Sequence, residues 1–186
     1  GIVAQGQSAN GGRDPYGILS SCKIGPNKSR GRMGLFSAYR ADRLIAEVRE
    51  SGDPDSPKAR QALAKLQGLG ATAVGPIVDA LATSDKRETM AFVEALSALI
   101  DNKTFPLLAK ALANENPRAV AGVAWALSTS HAYSASLLLD LLGKPGVSRP
   151  AVLDVIAAQK TRFQLRDLLN AAYLQEPNEK AALFRI

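Results

Sequence analysis

The 186 residues contain one cysteine, Cys22, and one histidine, His131. A lone cysteine forms no internal disulfide, and one residue of each kind cannot supply a zinc site of the usual ligands. Cys22 also has no base near it in sequence, whereas nucleophilic catalysis needs a thiolate held beside one. Aromatic residues make up 5% of the chain, with Trp125 as the sole tryptophan. No apolar run approaches the roughly 18–20 residues of a membrane span, so no membrane partner is expected. No glycine-rich phosphate loop ends in Lys-Ser or Lys-Thr. Asp140, Asp154 and Asp167 fall in helical stretches and read as solubility or inter-helix polar positions rather than as an acid–base pair. These absences point away from an enzyme and from any metal or cofactor. The scarcity of cysteine fits a reducing, cytoplasmic setting.

What is present is apolar and repetitive. Hydrophobic residues make up 46% of the chain, mainly alanine and leucine, which suits close helix–helix stacking. The clearest stretch is 102–130. In its second half Asn116 is placed as an N-cap and Pro117 as the first helical residue. Val120, Val123, Ala124 and Leu127 follow at i, i+3, i+4 and i+7. In its first half Asn102 is the expected cap of a helix whose inward face is Leu107, Leu108, Ala111 and Leu112. Helices of about three turns are marginal alone in water, so each must bury its apolar face on neighbours.

The neighbours repeat the pattern. Pro76, Pro106 and Ser136 mark similar segments thirty positions apart, and Gln164–Leu169 continues the series at a shorter interval. Second helices recur as well: Glu94–Leu96 matches Trp125–Leu127 at an offset of 31. Ser56–Gly70, with its closing Leu66-Gln67-Gly68-Leu69-Gly70 turn, carries the second-helix pattern once more. A period near thirty with two helices per period marks a helical repeat array. These units resemble HEAT repeats, especially the short bacterial HEAT-like repeats of phycobilin lyases and of many scaffold proteins. The resemblance covers residues 36–186. It implies an all-α, right-handed α-solenoid of about five helix pairs, with the second helices lining a concave face. Iron-binding hydroxylases of HEAT fold use paired His-Glu motifs, which one histidine cannot provide.

Taken in order, residues 1–35 read as an irregular, glycine-rich lead-in with turn signals at Gly11-Gly12, Gly25-Pro26, Gly31 and Gly34. Five cations against one anion give this segment +4 of the chain's +6. Lys23, Lys28, Arg30 and Arg32 are candidate contacts for phosphate or for an acidic partner, although a solvated linker is the preferred reading. Ser37–Glu50 is the first amphipathic helix, with Leu44, Ile45 and Val48 inward and Arg40, Arg43, Glu47 and Arg49 outward. Asp85 with Glu88, and Thr161 with Gln164, are spaced as capping boxes. Ser148 is the expected cap of the helix that Arg149 begins, and Pro177 starts the last helix. The absence of a polar capping repeat at the C-terminal end leads to the expectation of a piece of a longer array.

The candidate partner-binding residues lie on the second helices. Arg87 and Arg118 are equivalent, 31 positions apart, and Arg149 begins the next second helix. A column of arginines suits carboxylates or phosphates. Trp125, if exposed beside them, is an interface anchor. His131 is read as an exposed loop residue. The leading expectation is a non-enzymatic protein–protein interaction scaffold whose partner is acidic at the contact. The alternative is a nucleic-acid-binding module gripping the phosphate backbone, and the third is a phycobilin-lyase-like factor, implied by the resemblance alone.

Overall fold

The computed structural model describes residues 29–173 and 177–186; Lys23, Lys28 and Cys22 lie outside the described residues. Among the described residues every element is helical: α1 Ser29–Glu50, α2 Pro57–Gly68, α3 Ala71–Leu81, α4 Lys86–Ala98, α5 Phe105–Ala111, α6 Pro117–Thr129, α7 Ser136–Leu142, α8 Arg149–Ala158, α9 Leu165–Tyr173 and α10 Pro177–Leu183, with a short 3-10 turn at Lys160–Arg162. The first helix is described from Ser29, ahead of the expected Ser37, and Arg30 and Arg32 fall within it. Gly31 and Gly34 were turn signals in the sequence, yet a glycine inside a helix costs only about 1 kcal/mol, which a long helix absorbs.

Side-chain caps start three of the helices, α2, α4 and α6. The Ser56 hydroxyl accepts from Ala59 N at 3.2 Å ahead of Pro57. Asp85 Oδ1 accepts from Glu88 N at 2.8 Å while Glu88 Oε2 accepts from Asp85 N at 3.3 Å, closing the expected box. Asn116 Oδ1 accepts from Arg118 N at 2.9 Å. Each satisfies N–H groups that a first turn leaves free. Gly70, at the α2–α3 turn, has φ 61°, the left-handed region that glycine enters without a Cβ clash.

Other starts differ from expectation. Asp101, not Asn102, organises the entry to α5: its Oδ1 accepts from Lys103 N at 2.8 Å and from Thr104 N at 2.6 Å. Asn102 Oδ1 instead accepts from Ser134 N at 2.9 Å, tying this loop to the next one. Leu108, Ala111 and Leu112 of the expected inward face are buried, joined by Phe105 and Ala109 because α5 starts at Phe105, while Leu107 is 44% exposed. Ser148 occupies the cap position of α8, but its side chain makes no cap bond. Its N–H donates to Leu112 O at 3.0 Å, docking the α7–α8 loop on the end of α5. The Thr161–Gln164 box does not form, because Thr161 lies in the 3-10 turn and α9 starts only at Leu165. Arg49 is not a free outward charge: its Nη2 donates to Thr83 Oγ1 at 2.8 Å and Ala80 O at 3.2 Å, fastening α1 to the end of α3.

Packing follows a regular order. The pairs α1–α2, α3–α4, α5–α6, α7–α8 and α9–α10 are in contact, and α2, α4, α6, α8 and α10 also touch one another in sequence. One continuous core runs through them, with Leu66, Phe92, Leu96, Leu127 and Ile156 fully buried. Small residues on α2 and α6 are fully covered: Ala59, Ala119 and Ala126. At Gly122 a Cβ would lie 2.9 Å from Leu81 Cδ1, so α6 meets α3 at a distance that only glycine fits without movement.

The polar centre of the fold is Gln159, 2% exposed. Its Nε2 donates to Leu127 O at 2.7 Å, Ser130 O at 2.8 Å and Ser128 O at 3.0 Å, carbonyls at and just past the end of α6 that the helix cannot pair itself. Its Oε1 accepts from Arg162 Nη1 at 2.6 Å and from the Tyr133 hydroxyl at 3.1 Å. Arg162 also donates to the Tyr133 carbonyl and to His131 O. This anchoring bends the chain after α8 into the 3-10 turn, which is why the capping box fails. Among the described residues no buried side-chain nitrogen or oxygen lacks a partner.

Candidate functional site

Helices α2, α4 and α6 bury corresponding positions, with Glu88 half-buried at the third position of α4. Counted from their caps, the third residues Ala59 and Ala119 and the tenth residues Leu66, Ala95 and Ala126 are buried. The three helices α2, α4 and α6 are therefore rotated alike, and their second, fifth and ninth residues face outward together. The second residues are Lys58, Arg87 and Arg118, all exposed. None forms an ion pair among the described residues. Lys58 escaped the sequence reading because the repeat offset was taken from Arg87 and Arg118 alone; counting from the caps Ser56, Asp85 and Asn116 finds it.

Arg149 falls outside this row. It is the first residue of α8, the second being Pro150, so it stands one position out of register. Its Nη1 donates to Glu179 Oε1 at 3.2 Å, linking α8 to α10. The cation that sequence spacing assigned to the column thus has an intramolecular partner.

An open groove of about 1110 Å³ crosses α2, α4 and α6. Arg60, Leu63 and Gln67 line it from α2, Arg87, Met90 and Glu94 from α4, Trp125 and Thr129 from α6, and Asp53 and Asp55 from the loop before α2. A second depression of about 390 Å³, between α4 and α6, includes Arg118, Lys86 and Thr89, and Trp125 belongs to both. Trp125 is 45% exposed and Met90 53% exposed. An indole and a thioether standing half in water inside a groove cost apolar hydration that a partner's side chain would relieve. Met90 gave no signal in the sequence, because a single methionine at helical spacing reads as core.

The groove lining offers guanidinium, carboxylate, hydroxyl, amide and aromatic groups but no histidine or cysteine. Arg60 is spoken for by Asp55 at 3.3 Å. Among the described residues the two ionisable groups with a displaced pKa lie elsewhere. Asp101 titrates below the ordinary carboxylate value because the Thr104 N–H bonds its charged form. Burial pushes Tyr133 up to about 12, although the nearby Arg162 charge acts in the opposite direction.

No family model, curated protein or solved structure matches this chain. The HEAT-like reading accordingly stands on the repeat pattern of the chain itself. Among the described residues no group of three or more His, Cys, Asp or Glu is placed to hold a metal ion. No described helix is long and apolar enough to cross a membrane. His131 is exposed, and Asp140, Asp154 and Asp167 are exposed on three different helices.

Proposed function

We propose that this protein is a non-catalytic interaction scaffold, a right-handed α-solenoid of HEAT-like helix pairs that binds a partner protein across its second helices. The order of helix contacts and the thirty-residue period support the stacked arrangement. The observation that carries the functional reading is Trp125. It is the sole tryptophan, it stands half-exposed where two depressions meet, and the exposed cations Arg87 and Arg118 lie one in each. Tryptophan and arginine are the residue types that most often dominate binding energy at interfaces. The partner is acidic where it meets these cations.

Nucleic acid is the second reading, and the row of Lys58, Arg87 and Arg118 favours it. Against it, the main groove is lined by three carboxylates, Asp53, Asp55 and Glu94, and by two cations, Arg60 and Arg87, of which Arg60 is already paired. The test is to compare proteins captured from native lysate by the wild type, by Trp125→Ala and by Arg87→Glu with Arg118→Glu, with and without nuclease. A protein retained after nuclease and lost in both variants supports the scaffold. Partners that vanish with nuclease support the second reading.

A further inference from the structure

We infer that α9 and α10 form a second interaction surface whose occupant is another copy of this chain, docked through the same two helices. The surface lies apart from the groove, so it adds an assembly to the scaffold reading without depending on it.

Burial at equivalent positions of the odd-numbered helices reveals it. Ile77, Leu108, Leu138 and Leu168 hold one position; the first three are fully buried and Leu168 is half-buried. Leu81, Leu112, Leu142 and Ala172 hold another, and all four are buried. A neighbouring face changes along the series. At α3 it is Val74 and Val78, and at α5 Phe105 and Ala109, all buried. At α7 it is Ala135 and Leu139, half-buried. At α9 it is Leu165, 72% exposed, and Leu169, 36% exposed. Phe105 shows what this face meets in the inner pairs. Its ring centroid lies 5.1 Å from that of Tyr133, in the segment that leads into the next helix pair. The face that inner pairs cover with a following pair is thus left in water on α9. Tyr173, 78% exposed, extends it by another turn, since residues four apart share a helix face. The second helix agrees. Counted from their first residues, α4 and α6 carry Val93 and Ala124 at the eighth position, both buried. Counted from Pro177, the eighth residue is Phe184, 65% exposed.

A face built to receive a helix pair fits another pair of the same kind, ridge into groove. The two ends of the described structure differ in what they offer. The described side chains of α1 expose Arg40, Asp42, Arg43 and Glu50, with Tyr39 as the single large apolar one, the polar outer face of a terminal repeat. Docking α9 on α1 of another copy would set leucines against these charges. Docking α9–α10 on α9–α10 sets apolar against apolar, and such a self-complementary contact closes as a two-fold dimer. Four of the eight exposed large apolar side chains among the described residues stand at this one end, which makes it the strongest candidate for burial. An aromatic side chain offers roughly 150–250 Å², so Tyr173 and Phe184 together expose about 200–350 Å², and the two leucines add to this. A standard interface buries about 800 Å² per partner, of which about 450 Å² is apolar. These four side chains supply most of that apolar share.

The experiment is sedimentation velocity of the full chain up to about 100 μM, a range that detects micromolar association. The expected result is a concentration-dependent rise from one to two times 19.6 kDa. Leu165→Glu and Tyr173→Glu change exposed positions, so circular dichroism should show unaltered helicity, while each weakens the dimer at least about tenfold. Tyr39→Glu, on α1, should leave it intact. A monomer throughout the range overturns the inference, as does a dimer that both glutamate variants retain. Mass growing beyond two copies, or dissociation by Tyr39→Glu, overturns it in favour of head-to-tail contact. None of these variants touches the groove, so the lysate capture decides the scaffold reading separately.

Discussion

Replacing Gln159 with leucine isolates the contact that joins α6 to α8. The side chain is 2% exposed and leucine is close to it in volume, so the change is mainly the loss of hydrogen bonds. Three carbonyls lose the Nε2 donor. Leu127 O keeps the Tyr133 hydroxyl at 3.0 Å, while Ser128 O and Ser130 O have no other donor among the described residues. A buried polar group stripped of its partner costs about 1–3 kcal/mol. Ser130 is buried and Ser128 half-buried, which puts the two together at about 2–4 kcal/mol. In a protein of this size that corresponds to a fall in Tm of about 5–15 °C. Urea denaturation followed by circular dichroism, with Tm from a thermal scan, measures both. A stability change below about 0.5 kcal/mol with an unaltered urea slope would refute the argument that these carbonyls depend on Gln159.

Three further predictions concern the same core. Leu127→Asp places a carboxylate at a fully buried position and should cost more than about 4–5 kcal/mol; hydrogen exchange should then rise in α4 and α8 as well as α6, and protection retained in both neighbours would contradict stacking. Gly122→Ala should destabilise by about 1–3 kcal/mol, because its Cβ meets Leu81, but in a Leu81→Ala background the same change should turn neutral or stabilising by up to about 1 kcal/mol; a double-mutant cycle without coupling would dismiss the close approach. With Tyr133 held up to about 12, the unfolded chain loses this proton at lower pH than the folded one, so stability should fall as pH rises from about 10 toward 12. Alkaline urea titrations should show that Tyr133→Phe removes this part of the pH dependence, and an unchanged slope in the variant would exclude Tyr133 as its source.

The parts of the fold legible in the sequence are those set by local chemistry. The caps at Asp85 and Asn116 depend on residues two or three positions apart, and each forms as read. The buried face of α6 follows from its own periodicity. What escaped depends on residues far apart in the chain. Asn102 was read as a cap, but a backbone N–H of the next loop, at Ser134, takes its side chain. Thr161 satisfied the spacing of a capping box, but Arg162 is drawn to Tyr133, His131 and Gln159, and the chain tightens there instead. Arg49 sits on the outward side of its helix by periodicity and still reaches Thr83 and Ala80, more than thirty residues on. The candidate site shows the same division. Arg87, Arg118 and Trp125 were found from the repeat, whereas Arg149 slipped out of register through the loop before α8 and met Glu179. Met90 and Lys58 became visible once the helices were aligned on their caps.

The measurement that tests the central claim most directly is the nuclease-treated capture with wild type and the Arg87→Glu/Arg118→Glu variant, quantified by mass spectrometry. The account predicts a defined protein, acidic in its binding segment, held by the wild type after nuclease and reduced at least about tenfold in the variant. The same proteins recovered equally by both forms would contradict it and remove the groove from the function of this chain.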